Sequence, residues 1–108
     1  MLKGRAIRGS GSATVSPSGA VTSPTAVTVT FPNGVAGIPV QIRASGSVSG
    51  LVILQYGAGP QIQLPVNPNA PFTSVAIPKS AFPNAVTSVN LQYEASGAGS
   101  IFIFVDYA

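Results

Sequence analysis

The sequence predicts an all-β fold: an antiparallel β-sandwich of about eight strands, with a small β-barrel as the alternative. Three observations lead there. Apolar residues recur at every second position through most of the chain, which places them on one face of a pleated strand. Ten Pro and twelve Gly interrupt the 108 residues and leave no stretch for a long helix. Residues 15–57 slide onto 66–108 without a gap, at an offset of 51, with 14 of the 43 positions identical. A unit of about 50 residues is too short to bury a core alone. Two copies related by a pseudo-two-fold axis are therefore expected to share one core.

The strands are expected at 11–16, 20–31, 38–45, 49–56, 61–66, 72–78, 88–95 and 100–107. Val27, Val29 and Phe31 share one face while Thr28 and Thr30 share the other. Ile38, Val40 and Ile42 oppose Pro39, Gln41 and Arg43; Ile62, Leu64 and Val66 oppose Gln61, Gln63 and Pro65; Val89, Leu91 and Tyr93 oppose Asn90, Gln92 and Glu94. Pro39 and Pro65 inside such runs imply bulges or edge strands. In each copy the last two strands are expected to form a hairpin, turning at Ser45–Gly50 and at Ser96–Gly99. Gly46 and Gly97 are equivalent there and are expected to share a positive φ. Arg43 and Glu94 are equivalent too, and a salt bridge between them is expected.

The final strand of each copy is apolar on both faces. Ile101, Ile103, Val105 and Tyr107 are expected to line the chain's own core. Phe102 and Phe104, with Leu51 and Ile53 at the matching positions, are expected to form an oligomer interface, because exposed apolar strips of this length mark contact surfaces. A central strand buried on both sides within one chain is the competing reading.

Composition excludes much chemistry. The chain has no His, Cys or Trp, and charged residues make up 6% of it against about 25% in an average domain. Thiolate nucleophiles, imidazole bases, disulfides and the usual zinc and haem sites are ruled out. With only two carboxylate side chains, no oxygen-ligand metal cage is expected. Lys79 beside Ser80 points to the opposite face of a strand, and no Gly-rich stretch has the spacing of a phosphate loop. No enzymatic activity and no cofactor are expected. The longest apolar runs, such as Ile101–Val105, fall far short of the roughly 18 residues of a membrane helix. Met1–Arg5 has no apolar stretch behind it, so a cytoplasmic origin without a secretion signal is expected.

The net charge of +3 resides in Lys3, Arg5 and Arg8, since Arg43 and Lys79 balance Glu94 and Asp106. Residues 1–10 therefore read as a flexible basic arm that binds a partner, and residues 11–108 as a single β-domain. Three cations without an aromatic for base stacking do not suit nucleic acid. A neutral, weakly charged body suits a surface solvated by Ser, Thr, Asn and Gln, a surface covered by neighbours, or both.

These features together, a Cys-free, Ser/Thr/Gly/Ala-rich β-chain with a short basic arm, resemble small bacteriophage virion proteins: head decoration, minor capsid and fibre-base subunits. The resemblance is one of overall style and carries over no individual residue. It implies a structural subunit that self-associates, has other virion or shell proteins as partners, contacts no membrane and ends in the virion. The alternative is a carbohydrate- or receptor-binding β-sandwich module.

Overall fold

The structure, a computed structural model, describes residues 6–59 and 61–108. Eight strands form in chain order: β1 (Gly9–Val15), β2 (Val21–Thr30), β3 (Pro39–Gly46), β4 (Gly50–Gln55), β5 (Gln61–Val66), β6 (Thr73–Ala76), β7 (Ser88–Ala95) and β8 (Ile101–Tyr107). The alternation of apolar and polar residues places all eight close to their expected ranges. Two 3₁₀ turns, Pro32–Gly34 and Lys79–Ala81, fill the connections before β3 and β7. No helix among the described residues is long and apolar enough to cross a membrane.

All eight strands belong to one antiparallel sheet in the order β5-β4-β7-β2-β1-β8-β3-β6. The sheet curls until its two edge strands meet: the Thr73 hydroxyl of β6 donates to the Pro65 carbonyl of β5 at 3.0 Å. The expected pair of stacked sheets is thus replaced by a nearly closed, barrel-like sheet, the alternative arrangement. The continuity rests on one weak joint. β1 and β2 are in register at the single pair Ser12 and Thr30, whereas β1 and β8 pair along all of β1, from Gly9–Tyr107 to Val15–Ile101.

The expected hairpins do not form. β3 lies between β8 and β6, and β4 lies between β7 and β5. The connections 46–50 and 95–101 instead arch between the two halves of the sheet. The physical reason is burial. Arching sets the inner residues of β3 (Ile42, Ala44) and β4 (Val52, Leu54) in different parts of the wall around one core, where all four are buried. The two arches rest on each other, with Ser47 N–H donating to Ser100 O and Ser96 N–H to Ser49 O, both at 2.9 Å. Gly50 permits this: a Cβ there would lie 2.8 Å from Ile101 Cδ1. Positive φ among the described glycines occurs at Gly34, Gly57 and Gly59, not at Gly46 or Gly97; at Gly46 the arch needs close approach instead, since a Cβ there would lie 2.8 Å from Ser100 O.

The prolines sit where a missing N–H costs least. Pro39 precedes a register shift against β8, Pro65 is on the edge strand β5, and Pro24 lies within the register shift of β2 against β7. Ile101, Ile103, Val105 and Tyr107 of β8 all point into the core, as expected. β1 already begins at Gly9. Gly9 and Ser10, assigned from sequence to the arm, are sheet residues held by Tyr107 and Asp106 of β8.

Candidate functional site

With the odd-numbered residues of β8 turned inward, Phe102, Phe104 and Asp106 project from its outer face. Cross-strand register then builds three rows over β1, β8, β3 and β6. The first contains Ser10, Asp106, Gln41 and Ala76; the second Ser12, Phe104, Arg43 and Ser74; the third Thr14, Phe102 and Ser45. Phe72, just before β6, covers the second row.

Asp106 anchors this face. It is only 2% exposed, yet it is charged. Arg43 clamps it with two bonds, Nε to Oδ2 and Nη2 to Oδ1, each 2.9 Å. Gln41 Nε2 donates to Oδ2 at 2.7 Å and Ser10 Oγ donates to Oδ1. Burial pushes the Asp106 carboxyl up, but the bonds from Arg43, Ser10 and Gln41 outweigh it and hold the group below its ordinary range. The same carboxylate raises Arg43 further. Because all four donors come from the two strands flanking β8, the cluster laces three strands together.

Arg43 also organises the aromatics. Its guanidinium lies 4.9 Å from the Phe104 ring centre and 5.6 Å from that of Phe72, within cation–π range. The two rings meet edge to face at 5.4 Å. Phe104 is thereby half-buried, while Phe72 and Phe102 remain 48% and 42% exposed.

The four interface residues named from sequence therefore separate. Phe102 is open to a partner and Phe104 partly so. Leu51 is half-buried on the other half of the sheet, opposite Glu94 and Pro65. Ile53 is not available: it is 3% exposed within the single chain, between the Gln63 and Gln92 positions of the neighbouring strands. The two stripes are thus unlike. The outer surface around β4 and β7 carries amides and hydroxyls, among them a Thr28–Asn90 bond of 3.1 Å and a Gln63–Gln61 bond of 3.3 Å.

The expected Arg43–Glu94 bridge is absent because β3 lies beside β8 rather than near β7. Glu94 instead lines a shallow groove of about 340 Å³ with Val21, Thr22, Ser49, Leu51 and Ser96, next to the arches. Among the described residues, no cation is paired with it. Of the arm residues, Lys3 and Arg5 lie outside the described residues. Arg8 does not hang free: its Nη2 donates to Ala36 O at 3.2 Å and Ala108 O at 3.1 Å, and its guanidinium stands over Tyr107 at 5.6 Å. Sequence reasoning missed Phe72 as a site residue; it precedes a strand of four residues and belongs to no alternating pattern.

No protein-family model matches the chain, nor does any curated protein or solved structure.

Proposed function

We propose that the chain is a non-enzymatic structural subunit that works by assembling with further copies of itself, as a virion or shell component. The observation that carries this reading is the pair Phe72 and Phe102, two large apolar side chains standing 48% and 42% exposed on one sheet face. Phe72 is held from below by Phe104 and Arg43, and Phe102 is fixed by its place in the central strand β8, between β1 and β3. Removing a Phe side chain from water contributes about 1.5–3 kcal/mol, and a self-complementary contact repeats that gain in every subunit. Preordered aromatics lose little freedom on association, which favours them as contact anchors.

Descent from a fused duplication is part of the same proposal. The cyclic strand order is unchanged when β1–β4 exchange with β5–β8, which supports it. The register differs by two residues, however: Gly50 pairs with Ala95, whereas Ile101 pairs with Gly46.

Light scattering tests the assembly. A symmetric multimer is expected, with Phe102→Asp giving a smaller species of unchanged β-sheet circular dichroism. A wild-type monomer at all concentrations overturns the reading. A glycan- or receptor-binding module is the second reading, favoured by the hydroxyls of Thr14 and Ser45 directly flanking Phe102. Saturable binding on a glycan array by a monomer would select it.

A further inference from the structure

We infer that the groove around Glu94 receives the N-terminal segment Met1–Arg5 of a second copy of this chain. The inference rests on the assembly reading and adds to the aromatic face a separate, electrostatic contact.

Charge accounting leads to it. The chain has two carboxylates and five basic side chains. Asp106 is saturated by Arg43, Gln41 and Ser10. Among the described residues, Glu94 is then the one carboxylate side chain with no cation beside it. Around it the groove offers an apolar floor, Val21, Leu51 and Ala95, and the hydroxyls of Thr22, Ser49 and Ser96. An extended segment that carries cations interspersed with apolar residues is complementary to such a lining. Met1–Arg5 supplies Leu2, Lys3 and Arg5 in five residues.

The segment must come from another copy. Arg8 is tied down at the end of the barrel opposite the groove, its N–H donating to Tyr107 O at 2.8 Å. Ser12 is level with Thr30 and Thr30 with Ser88, so Arg8 and Glu94 are separated by ten residues of strand rise, roughly 33 Å. The five residues from Arg8 back to Lys3 span at most about 18 Å. A chain's own lysine stops well short of its own groove. Arg8 lies at one end of the barrel and the groove opens at the other, so a contact between the segment before Arg8 and the groove of a second copy is head-to-tail, the kind that closes rings or propagates filaments.

The receptor for the test is the full chain with Lys3→Glu and Arg5→Glu, which cannot fill grooves with its own arms. The probe is a fluorescent peptide of residues Met1–Ile7. Saturable binding is expected, weakening as salt shortens the Debye length. Adding Glu94→Gln is expected to weaken it by up to about fivefold, the fold-change of one surface ion pair. Lys79→Glu, which alters a described cation outside the groove, is expected to change nothing. Equal binding with and without Glu94→Gln, or no binding, overturns the inference. In parallel, Glu94→Lys with native arms is expected to shrink the assembly, and combining it with Lys3→Glu and Arg5→Glu to restore it. If Phe102→Asp shrinks the assembly while Glu94→Lys leaves it intact, the arm contact fails and the assembly reading stands. A wild-type monomer at all concentrations overturns both, even where the isolated peptide still binds.

Discussion

Arg43 and Asp106 form a bidentate ion pair across the β3–β8 boundary, between residues 63 positions apart in the chain. The contact is diagonal, because the direct partner of Arg43 is Phe104 and that of Asp106 is Gln41. The guanidinium therefore reaches along the strand and lies over the Phe104 ring on its way. One arginine thus neutralises a buried charge and holds the aromatic face in position.

The two members of the pair are unequal in burial, with side-chain exposures of 32% for Arg43 and 3% for Asp106. Arg43→Met strands a carboxylate in the sheet and is expected to cost about 3–5 kcal/mol. Asp106→Asn leaves an arginine that can turn to water and is expected to cost about 1–2 kcal/mol. Urea unfolding at neutral pH distinguishes them; equal losses would contradict this account.

The depressed Asp106 carboxyl fixes the direction of the acid response. Its contribution to stability is complete above the unfolded-state value of about 3.9 and is lost as pH falls through the lower folded value. Stability is expected to stay level on this account between pH 7 and 5 and to decline below about pH 4. Asp106→Asn is expected to flatten that decline. Thermal midpoints across the acid range provide the check.

Neighbouring phenylalanines on β8 are expected to behave differently. Phe104→Ala removes the ring beneath Phe72 and Arg43 and is expected to cost up to about 3 kcal/mol of subunit stability. Phe102→Ala is expected to leave the subunit's denaturation midpoint within about 0.5 kcal/mol of wild type and to weaken only association.

Tyr107 is wedged against the Phe31 ring, 4.5 Å away, and against the Gly37 backbone. A Cβ at Gly37 would overlap the tyrosine ring, so Gly37→Ala is expected to cost roughly 1–3 kcal/mol. Gly97 has open space at its Cβ position, and Gly97→Ala is expected to be close to neutral. Chemical denaturation of the two variants gives the comparison.

The inner face was readable because burial imposes a period of two: Ile101, Ile103, Val105 and Tyr107 required no knowledge of their neighbours. Strand partners were not readable that way. A short Ser/Gly connection suits a hairpin and an arch equally, and the choice depends on how the whole core fills. Repeat equivalence paired Arg43 with Glu94, whereas the strand order sets it beside Asp106. The ambiguity of the connections also concealed that Ile53 would be covered and that Phe72 would complete the aromatic face, since both outcomes depend on contacts distant in the chain.

β8 has a role in the order of events as well as in the finished sheet. Without it the strand order divides into β5-β4-β7-β2-β1 and the isolated pair β3-β6. Its pairing with β1 joins Gly9 to Tyr107, nearly the full length of the chain. The loop-closure entropy of such contacts is paid before burial returns it, which makes folding slow. Until Ile101–Tyr107 have been synthesised, β1 and β3 each present an unpaired strand edge, a template for pairing with other nascent chains. Exposure to aggregation therefore persists until β8 emerges.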